Sequence, residues 1–264
     1  MFFPPLTWVL LLVAAVLCSI GFYNFVYFMS VGYGLAVGGI GAAILAIAAI
    51  RGDVTPVMVI LCLLLIVYGI RLGGFLIVRE RKSAAYRKTL KAQTGKPVPF
   101  PVKICMWILL AVLYVMETSP VWYREVTAPD GAAIMAWTGA AIMAAGIVLE
   151  ALADEQKSAA KKKDPDKPAM DGLYKYCRCP NYFGEIVFWT GVFVSGVGAM
   201  EGWQWLVAVL GYVMILAVMI SGAQRLEKRQ NRNYGAMPAY RAYVEKTPAL
   251  VPFLPIYHLV KAEK

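Results

Sequence analysis

Seven apolar runs of about 20 residues constrain the fold of this chain more than any other feature. A helix needs about 20 apolar residues to cross the roughly 30 Å hydrocarbon layer of a bilayer. Hydrophobic residues make up 60% of the 264 positions, above the roughly 45–50% of ordinary soluble domains. We therefore expect an all-α, polytopic membrane helix bundle with seven transmembrane helices, over residues 6–28, 31–50, 56–78, 103–122, 131–152, 183–200 and 204–222.

The distribution of basic residues predicts the orientation of this bundle. Of 26 Lys and Arg residues, eight lie in 79–103, seven in 153–182 and eight in 223–264. These segments follow the third, fifth and seventh runs, so they share one side of the membrane. Because cytoplasmic loops carry the excess of Lys and Arg, we expect the N-terminus outside and the C-terminus in the cytoplasm. The net charge of +10 is thus a topology signal, and we expect no nucleic-acid partner.

We expect one membrane domain over residues 1–264. In it, residues 1–55 form N-terminal spans, 56–222 form spans around a cofactor pocket, and 223–264 form a cytoplasmic C-terminal segment. Cys177 and Cys179 face a reducing compartment in this topology, so a disulfide between them is not expected. A Cys-x-Cys pair supplies only two of the usual four zinc ligands, and His258 is the one histidine. We therefore expect no metal site.

Ionisable and amide side chains recur at one predicted depth, near the cytoplasmic ends of the spans. Such residues are rare inside membranes and usually face a cavity or a partner. Each also has a simpler interpretation, as a snorkelling side chain, a solvated helix end or a helix cap. Together they predict a polar pocket for a nucleotide-like cofactor that enters from the cytoplasm, with a lipidic substrate arriving through the spans. The set comprises Arg71, Glu150, Asp154, Arg178, Asn181 and Glu185.

Four motifs carry a resemblance to a known family: "YGIR" (68–71), "PNYFGEI" (180–186), "FWTGVF" (188–193) and "ALVPF" (249–253). Over roughly residues 65–255 the chain resembles the steroid 5-alpha-reductase superfamily of integral membrane reductases, most closely a bacterial branch of unknown specificity. The stretch 232–257 is also similar to the end of membrane sterol reductases. The resemblance implies a helix bundle around NADPH on the cytoplasmic side, and a multi-pass protein of the bacterial inner membrane.

The resemblance also implies roles for individual residues. Tyr68 matches the catalytic tyrosine that hydrogen-bonds the carbonyl of an enone substrate. The other matched positions are implied to bind the cofactor, with Lys96 and Lys161 standing where arginines are usual. They are Arg71, Lys96, Glu150, Asp154, Lys161, Arg178, Asn181, Tyr182, Glu185 and Glu227.

The chain departs from the family pattern at three places. Steroid reductases pair the tyrosine with a glutamate on the second span, but residues 31–50 contain no carboxylate. The histidine of the C-terminal helix is absent, and Cys179 stands where related sequences often have histidine. The proton donor is therefore not identified by the sequence.

Three functions remain open from the sequence. The first is an NADPH-dependent reductase that transfers a hydride to the activated C=C bond of a steroid-like or other apolar lipid. The second is an S-adenosylmethionine-dependent membrane methyltransferase of a lipid or isoprenylcysteine, because "RCPNYFG" also fits an R-x-P-x-Y-x-G pattern. The third is a non-enzymatic lipid-binding membrane protein. All three have membrane lipids as neighbours, and the sequence leaves the oligomeric state open.

Overall fold

The computed structural model describes residues 4–82, 98–127 and 133–260, and every regular element within these ranges is helical. The α-helices are α1 (Pro5–Cys18), α2 (Val31–Arg51), α3 (Pro56–Lys82), α4 (Phe100–Glu117), α5 (Ser119–Thr127), α6 (Ala133–Lys163), α7 (Pro180–Ser195), α8 (Gln204–Tyr234) and α9 (Pro238–Lys246). Short 3₁₀ segments follow α1 and precede α7. The predicted all-α class is confirmed for the described residues.

Local sequence explains where several helices begin and end. Pro5, Pro56, Pro180 and Pro238 each stand at a helix start, where the missing N–H costs no hydrogen bond. Helix α2 is capped at its C-terminus by Gly52, which adopts a left-handed conformation (φ 79°). The Gly52 N–H donates to carbonyls of the last turn. Glycine adopts this conformation without the steric cost of a Cβ atom.

Six helical segments are long and apolar enough to cross a membrane: Pro5–Phe22, Val31–Arg51, Pro56–Lys82, Phe100–Glu117, Ala133–Lys163 and Gln204–Tyr234. They correspond to six of the seven predicted spans. The remaining predicted span, 183–200, lies mostly in α7, which has 16 residues. At 1.5 Å per residue α7 is about 24 Å long, shorter than the roughly 30 Å hydrocarbon layer.

The chain divides into two compact units, and the first comprises Met1–Ala140 and Val192–Tyr212. Within it, α2 and α3 approach through glycines. A Cβ atom on Gly69 would lie 2.3 Å from the Gly34 carbonyl oxygen, and one on Gly41 would lie 2.9 Å from the Cys62 oxygen. Such distances mean that backbone packs directly on backbone, as small residues allow between membrane helices.

The second unit comprises Ala141–Gly191 and Val213–Lys264. Here α6 and α7 make a similar close approach, since a Cβ atom on Gly184 would lie 2.7 Å from the Glu150 nitrogen. Residues 248–260, which we call the terminal strap, pack on the core through Leu250 and Leu259. The Arg178 N–H donates to the Pro248 carbonyl at 2.9 Å, so the strap begins beside the start of α7.

Candidate functional site

The polar residues at the start of α7 form the best candidate site among the described residues. We call Glu150, Arg178, Asn181 and Glu185 the α7 cluster. The contact between Gly184 and Glu150 brings α6 and α7 together at this level. Glu150, Arg178 and Glu185 are buried, with 3%, 2% and 8% of their surfaces exposed. Burial of so many polar groups at one helix start requires partners or a ligand.

Arg178 makes its strongest described contact with Glu227 of α8. Its Nη2 atom donates to Glu227 Oε1 at 2.8 Å and also to the Tyr257 carbonyl of the terminal strap. Both side chains of the ion pair are 2% exposed. The pair is therefore a buried, hydrogen-bonded salt bridge, the kind in which loss of one partner is costly.

The second oxygen of Glu227 holds the strap as well. Glu227 Oε2 accepts hydrogen bonds from the backbone N–H groups of Leu259 at 2.8 Å and Val260 at 3.2 Å. Gln224, one turn earlier on α8, donates to the Leu259 carbonyl at 3.2 Å. Two of the predicted cofactor contacts, Arg178 and Glu227, thus tie the terminal strap to α8 and α7 in this structure.

Two polar atoms of the α7 cluster lack protein partners. Asn181 Oδ1 and Arg178 Nε are buried and have no hydrogen-bond partner among the residues that the structure describes. A buried polar atom without a partner costs roughly 1–3 kcal/mol. The acceptor lies in the first turn of α7 and the donor two residues before the helix, and a bound polar ligand would satisfy both.

Tyr182 has a packing contact that explains the glycine opposite it. A Cβ atom on Gly222 of α8 would lie 2.7 Å from the Tyr182 ring. The ring thus lies against the α8 backbone, and Tyr182 also packs on the core that contains Cys179. Its predicted role in cofactor binding stays a prediction.

The two other predicted cofactor residues of this unit lie along α6. Asp154 is half-buried, one turn after Glu150. The Lys161 ammonium donates to the carbonyls of Pro165 at 2.9 Å and Lys167 at 2.6 Å, and to the Tyr234 hydroxyl at 2.6 Å. A lysine ammonium has three donors, so these contacts engage all of them.

Cys177 and Cys179 are buried thiols beside the cluster. Burial raises the pKa of Cys177 to about 12 and that of Cys179 to about 11. A thiol with so high a pKa stays protonated at neutral pH and reacts slowly. Cys179 also belongs to an apolar core with Ala223 and Leu226, so packing accounts for it.

Tyr68 and Arg71 are not part of this unit. Tyr68 and Arg71 lie on α3 in the first unit, and Lys96 lies outside the described residues. Tyr68 is fully buried, and its hydroxyl lies 3.0 Å from that of Tyr33 on α2. Arg71 is half-buried. Of the predicted site residues, eight thus lie in the second unit and two in the first.

Sequence reasoning missed two polar features of the first unit. One is Tyr33, whose signal is a Tyr-Gly pair on α2 that repeats as Tyr68-Gly69 on α3. The other is α5, where Arg124 is fully buried and donates to the Ser195 carbonyl at 2.8 Å. Its neighbour Glu125 is 3% exposed, and neither carboxylate oxygen has a hydrogen-bond partner among the described residues.

Comparisons with known proteins place the chain in a family. A family model described as "Protein of unknown function (DUF1295)" matches residues 31–247. The "Uncharacterized protein C9.08c" of Schizosaccharomyces pombe is 27% identical over 115 residues, which cover 39% of this chain and 37% of the yeast protein. No solved structure matches the chain. Because the family model covers most of its length, the chain belongs to the DUF1295 family.

Proposed function

We propose that the protein is an NADPH-dependent membrane reductase that transfers a hydride to the activated C=C bond of an enone in a steroid-like or other apolar lipid. The observation that carries this proposal is the buried Asn181 Oδ1 atom, which has no partner among the described residues. It lies at the first turn of α7, in the segment that resembles the cofactor signature of the steroid 5-alpha-reductase superfamily.

The donor and acceptor set of the α7 cluster fits a nicotinamide nucleotide. Asn181 Oδ1 is an acceptor for an amide or a hydroxyl group, and Arg178 Nε–H is a donor for a phosphate or carbonyl oxygen. The carboxylates of Glu150 and Glu185 suit ribose hydroxyls or a carboxamide N–H. The long basic segments on the same predicted side add attraction for the phosphates.

The chemistry divides between cofactor and chain. NADPH, which Asn181 and Arg178 would hold, would supply the hydride that forms a C–H bond at the β-carbon of the enone. The π electrons of the C=C bond move to the carbonyl oxygen, and a proton from solvent then completes the α-carbon. The family resemblance implies that Tyr68 would donate a hydrogen bond to this oxygen as its negative charge develops. A neutral phenol can do so without adding a charge to the membrane.

We further propose that α7 crosses the membrane, which gives seven spans with the N-terminus outside and the C-terminus in the cytoplasm. Without that crossing, α8 would run the other way and place the basic tail of residues 223–260 outside, against the positive-inside rule. A helix of 16 residues spans a locally thinned bilayer at modest cost. The cofactor would then enter the site from the cytoplasmic face of a bacterial inner membrane.

Cofactor binding tests the proposal directly. We expect purified protein to bind NADPH by calorimetry, and NADPH to raise the melting temperature because it binds only the folded state. Asn181→Ala removes the unpartnered acceptor and should weaken NADPH binding about tenfold, the equivalent of one hydrogen bond of about 1.4 kcal/mol. Asn233→Ala, at an exposed position of α8, is the matched control and should bind normally. Wild-type protein that binds no NADPH would refute the proposal.

The methyltransferase alternative draws on one specific observation. The residues that fit the R-x-P-x-Y-x-G pattern lie just before α7 and in its first five residues: Arg178, Pro180, Tyr182 and Gly184. The same calorimetry with S-adenosylmethionine separates the two enzymes, since only the true cofactor should stabilise the fold. Stabilisation by neither would favour a lipid-binding protein that carries out no reaction.

A further inference from the structure

Two Tyr-Gly pairs face each other where α2 and α3 meet. Gly34 follows Tyr33 on α2, and Gly69 follows Tyr68 on α3. A Cβ atom on Gly69 would lie 2.3 Å from the Gly34 oxygen, and one on Gly34 would lie 2.7 Å from the Gly69 oxygen. With no side chain between the two backbones, the preceding tyrosines are held at a fixed separation.

The two phenols form a hydrogen bond in this position. Their hydroxyl oxygens are 3.0 Å apart, and either is able to donate. The rings meet edge to face, with centroids 6.0 Å apart and planes at 76°. Tyr33 is 5% exposed and Tyr68 is fully buried. The pair is thus shielded from water, where a hydrogen bond is electrostatically stronger.

Tyr33 is itself held from a third helix. Its ring packs on that of Tyr114 of α4, with centroids 5.1 Å apart. The Tyr114 hydroxyl donates to the Phe28 carbonyl at 2.6 Å, which fixes that ring in turn. The orientation of the Tyr33 hydroxyl is therefore set by contacts from α3 and α4 together.

We infer that Tyr33 is a positioning residue for Tyr68: it donates its hydroxyl hydrogen to the Tyr68 oxygen, which directs the Tyr68 hydrogen to the substrate carbonyl. This inference rests on the proposed reductase function. A phenol that accepts one hydrogen bond becomes a stronger donor in the next, because linked hydrogen bonds polarise one another. The arrangement is neutral throughout, so it avoids the cost of an unpaired charge within an apolar helix pair.

The test compares Tyr33→Phe with Tyr27→Phe, using NADPH and the apolar enone 4-cholesten-3-one as probes. Tyr27→Phe is the matched control, because it also removes one tyrosine hydroxyl from the same unit. That hydroxyl donates to Glu80 at 2.7 Å and not to Tyr68. We expect Tyr33→Phe to lower kcat about tenfold, the effect of one hydrogen bond, with KM and the NADPH Kd within about twofold of wild type. Tyr27→Phe should keep the wild-type kcat.

Infrared spectroscopy of the bound enone supplies a readout that needs no turnover. A hydrogen bond from Tyr68 lowers the carbonyl stretching frequency of the probe, and Tyr33→Phe should lessen that shift. Wild-type kcat and an unchanged carbonyl shift in Tyr33→Phe would overturn the inference and leave the reductase proposal standing. If the wild-type protein binds NADPH but shows neither turnover nor a carbonyl shift, both the role of Tyr33 and the enone as substrate are refuted. Absence of NADPH binding overturns the proposed function at its first step.

Discussion

Glu125 and Glu227 are equally buried carboxylates in different units, and their surroundings are opposite. Glu125 is 3% exposed and Glu227 is 2% exposed. Glu227 pairs with Arg178 at 2.8 Å and accepts two backbone N–H groups of the terminal strap. Both oxygens of Glu125 lack hydrogen-bond partners among the described residues. Protein groups thus replace the lost hydration of the Glu227 carboxylate, whereas no described group donates a hydrogen bond to the Glu125 carboxylate.

This contrast indicates that the two units are stabilised differently. A buried charge contributes to the fold only when hydrogen bonds and an opposite charge replace its hydration. The second unit satisfies that condition with Arg178 and Glu227, which form an ion pair and hydrogen-bond the terminal strap. The first unit relies on close glycine contacts and on the neutral Tyr33–Tyr68 bond. We therefore expect removal of the buried charge to destabilise the second unit at Glu227 and to stabilise the first unit at Glu125.

The largest expected effect comes from Glu227→Ala. It leaves Arg178 buried without its ion-pair partner, which costs roughly 3–5 kcal/mol. It also frees the N–H groups of Leu259 and Val260, so we expect the strap to become sensitive to protease. The melting temperature in detergent and limited proteolysis measure the two consequences.

Two further variants separate charge from other causes in this experiment. Glu227→Gln keeps an acceptor oxygen for the strap but removes the charge, so we expect intermediate stability. Glu245→Gln changes an exposed glutamate of α9 and should leave the melting temperature unchanged. A Glu227→Ala protein as stable as wild type would contradict the view that charge holds the second unit.

Gly69→Ala tests the claim that shape holds the first unit. The added Cβ atom would lie 2.3 Å from the Gly34 oxygen and 2.7 Å from the Gly38 nitrogen. Because these are backbone atoms, the helices must separate, at a cost of about 1–3 kcal/mol. Gly74→Ala is the control on the same helix, since nothing lies within 4 Å of its Cβ position. We expect that variant to gain up to roughly 1 kcal/mol from helix propensity.

Glu125→Gln should act in the opposite direction from Glu227→Gln. Burial raises the pKa of the Glu125 carboxyl; the Arg51 guanidinium lowers it in part and Asp53 raises it. Because the folded-state pKa lies above the unfolded value, this group's contribution to stability is complete below the unfolded pKa of about 4.3. That contribution is lost as the pH rises through the folded-state pKa.

We therefore expect Glu125→Gln to raise the melting temperature at neutral and alkaline pH, and to have little effect near pH 4. Thermal unfolding in detergent across this pH range measures the difference. A variant that is less stable than wild type at pH 8 would show that the ionised carboxylate has a partner in solution. The contrast between the two buried glutamates would then disappear.

The sequence predicted the helices well because the length of an apolar run is a local property of the chain. Six of the predicted spans match helices that are long and apolar enough to cross a membrane. It did not predict the end of α7 at Ser195, because the residues beyond it up to Met200 are equally apolar. Where a buried helix ends depends on packing, here of Gly196 against Pro120 of α5.

The hydrogen-bond and ion-pair partners of the polar residues were harder to predict from the sequence than the burial of those residues. Charge and spacing identified Arg178 and Glu227 as candidates, but their mutual ion pair joins residues 49 positions apart. The missing carboxylate of residues 31–50 left Tyr68 without a predicted partner. The structure supplies the Tyr33 hydroxyl instead, which a search for charged residues on the second span overlooks.

The smallest expected effect concerns Lys161, for which the sequence predicted a role in cofactor binding. Its ammonium already donates to Pro165, Lys167 and Tyr234, so no donor is left for a phosphate. We expect Lys161→Met to lower stability by about 1 kcal/mol or less, since these contacts are partly exposed. The ratio of NADPH to NADH affinity should stay at its wild-type value, as it should in the control Lys162→Met at the exposed neighbouring position. Calorimetry with both dinucleotides measures this ratio. A selective loss of NADPH affinity in Lys161→Met would assign the lysine to the 2′-phosphate, and charge in the second unit would then serve the cofactor as well as the fold.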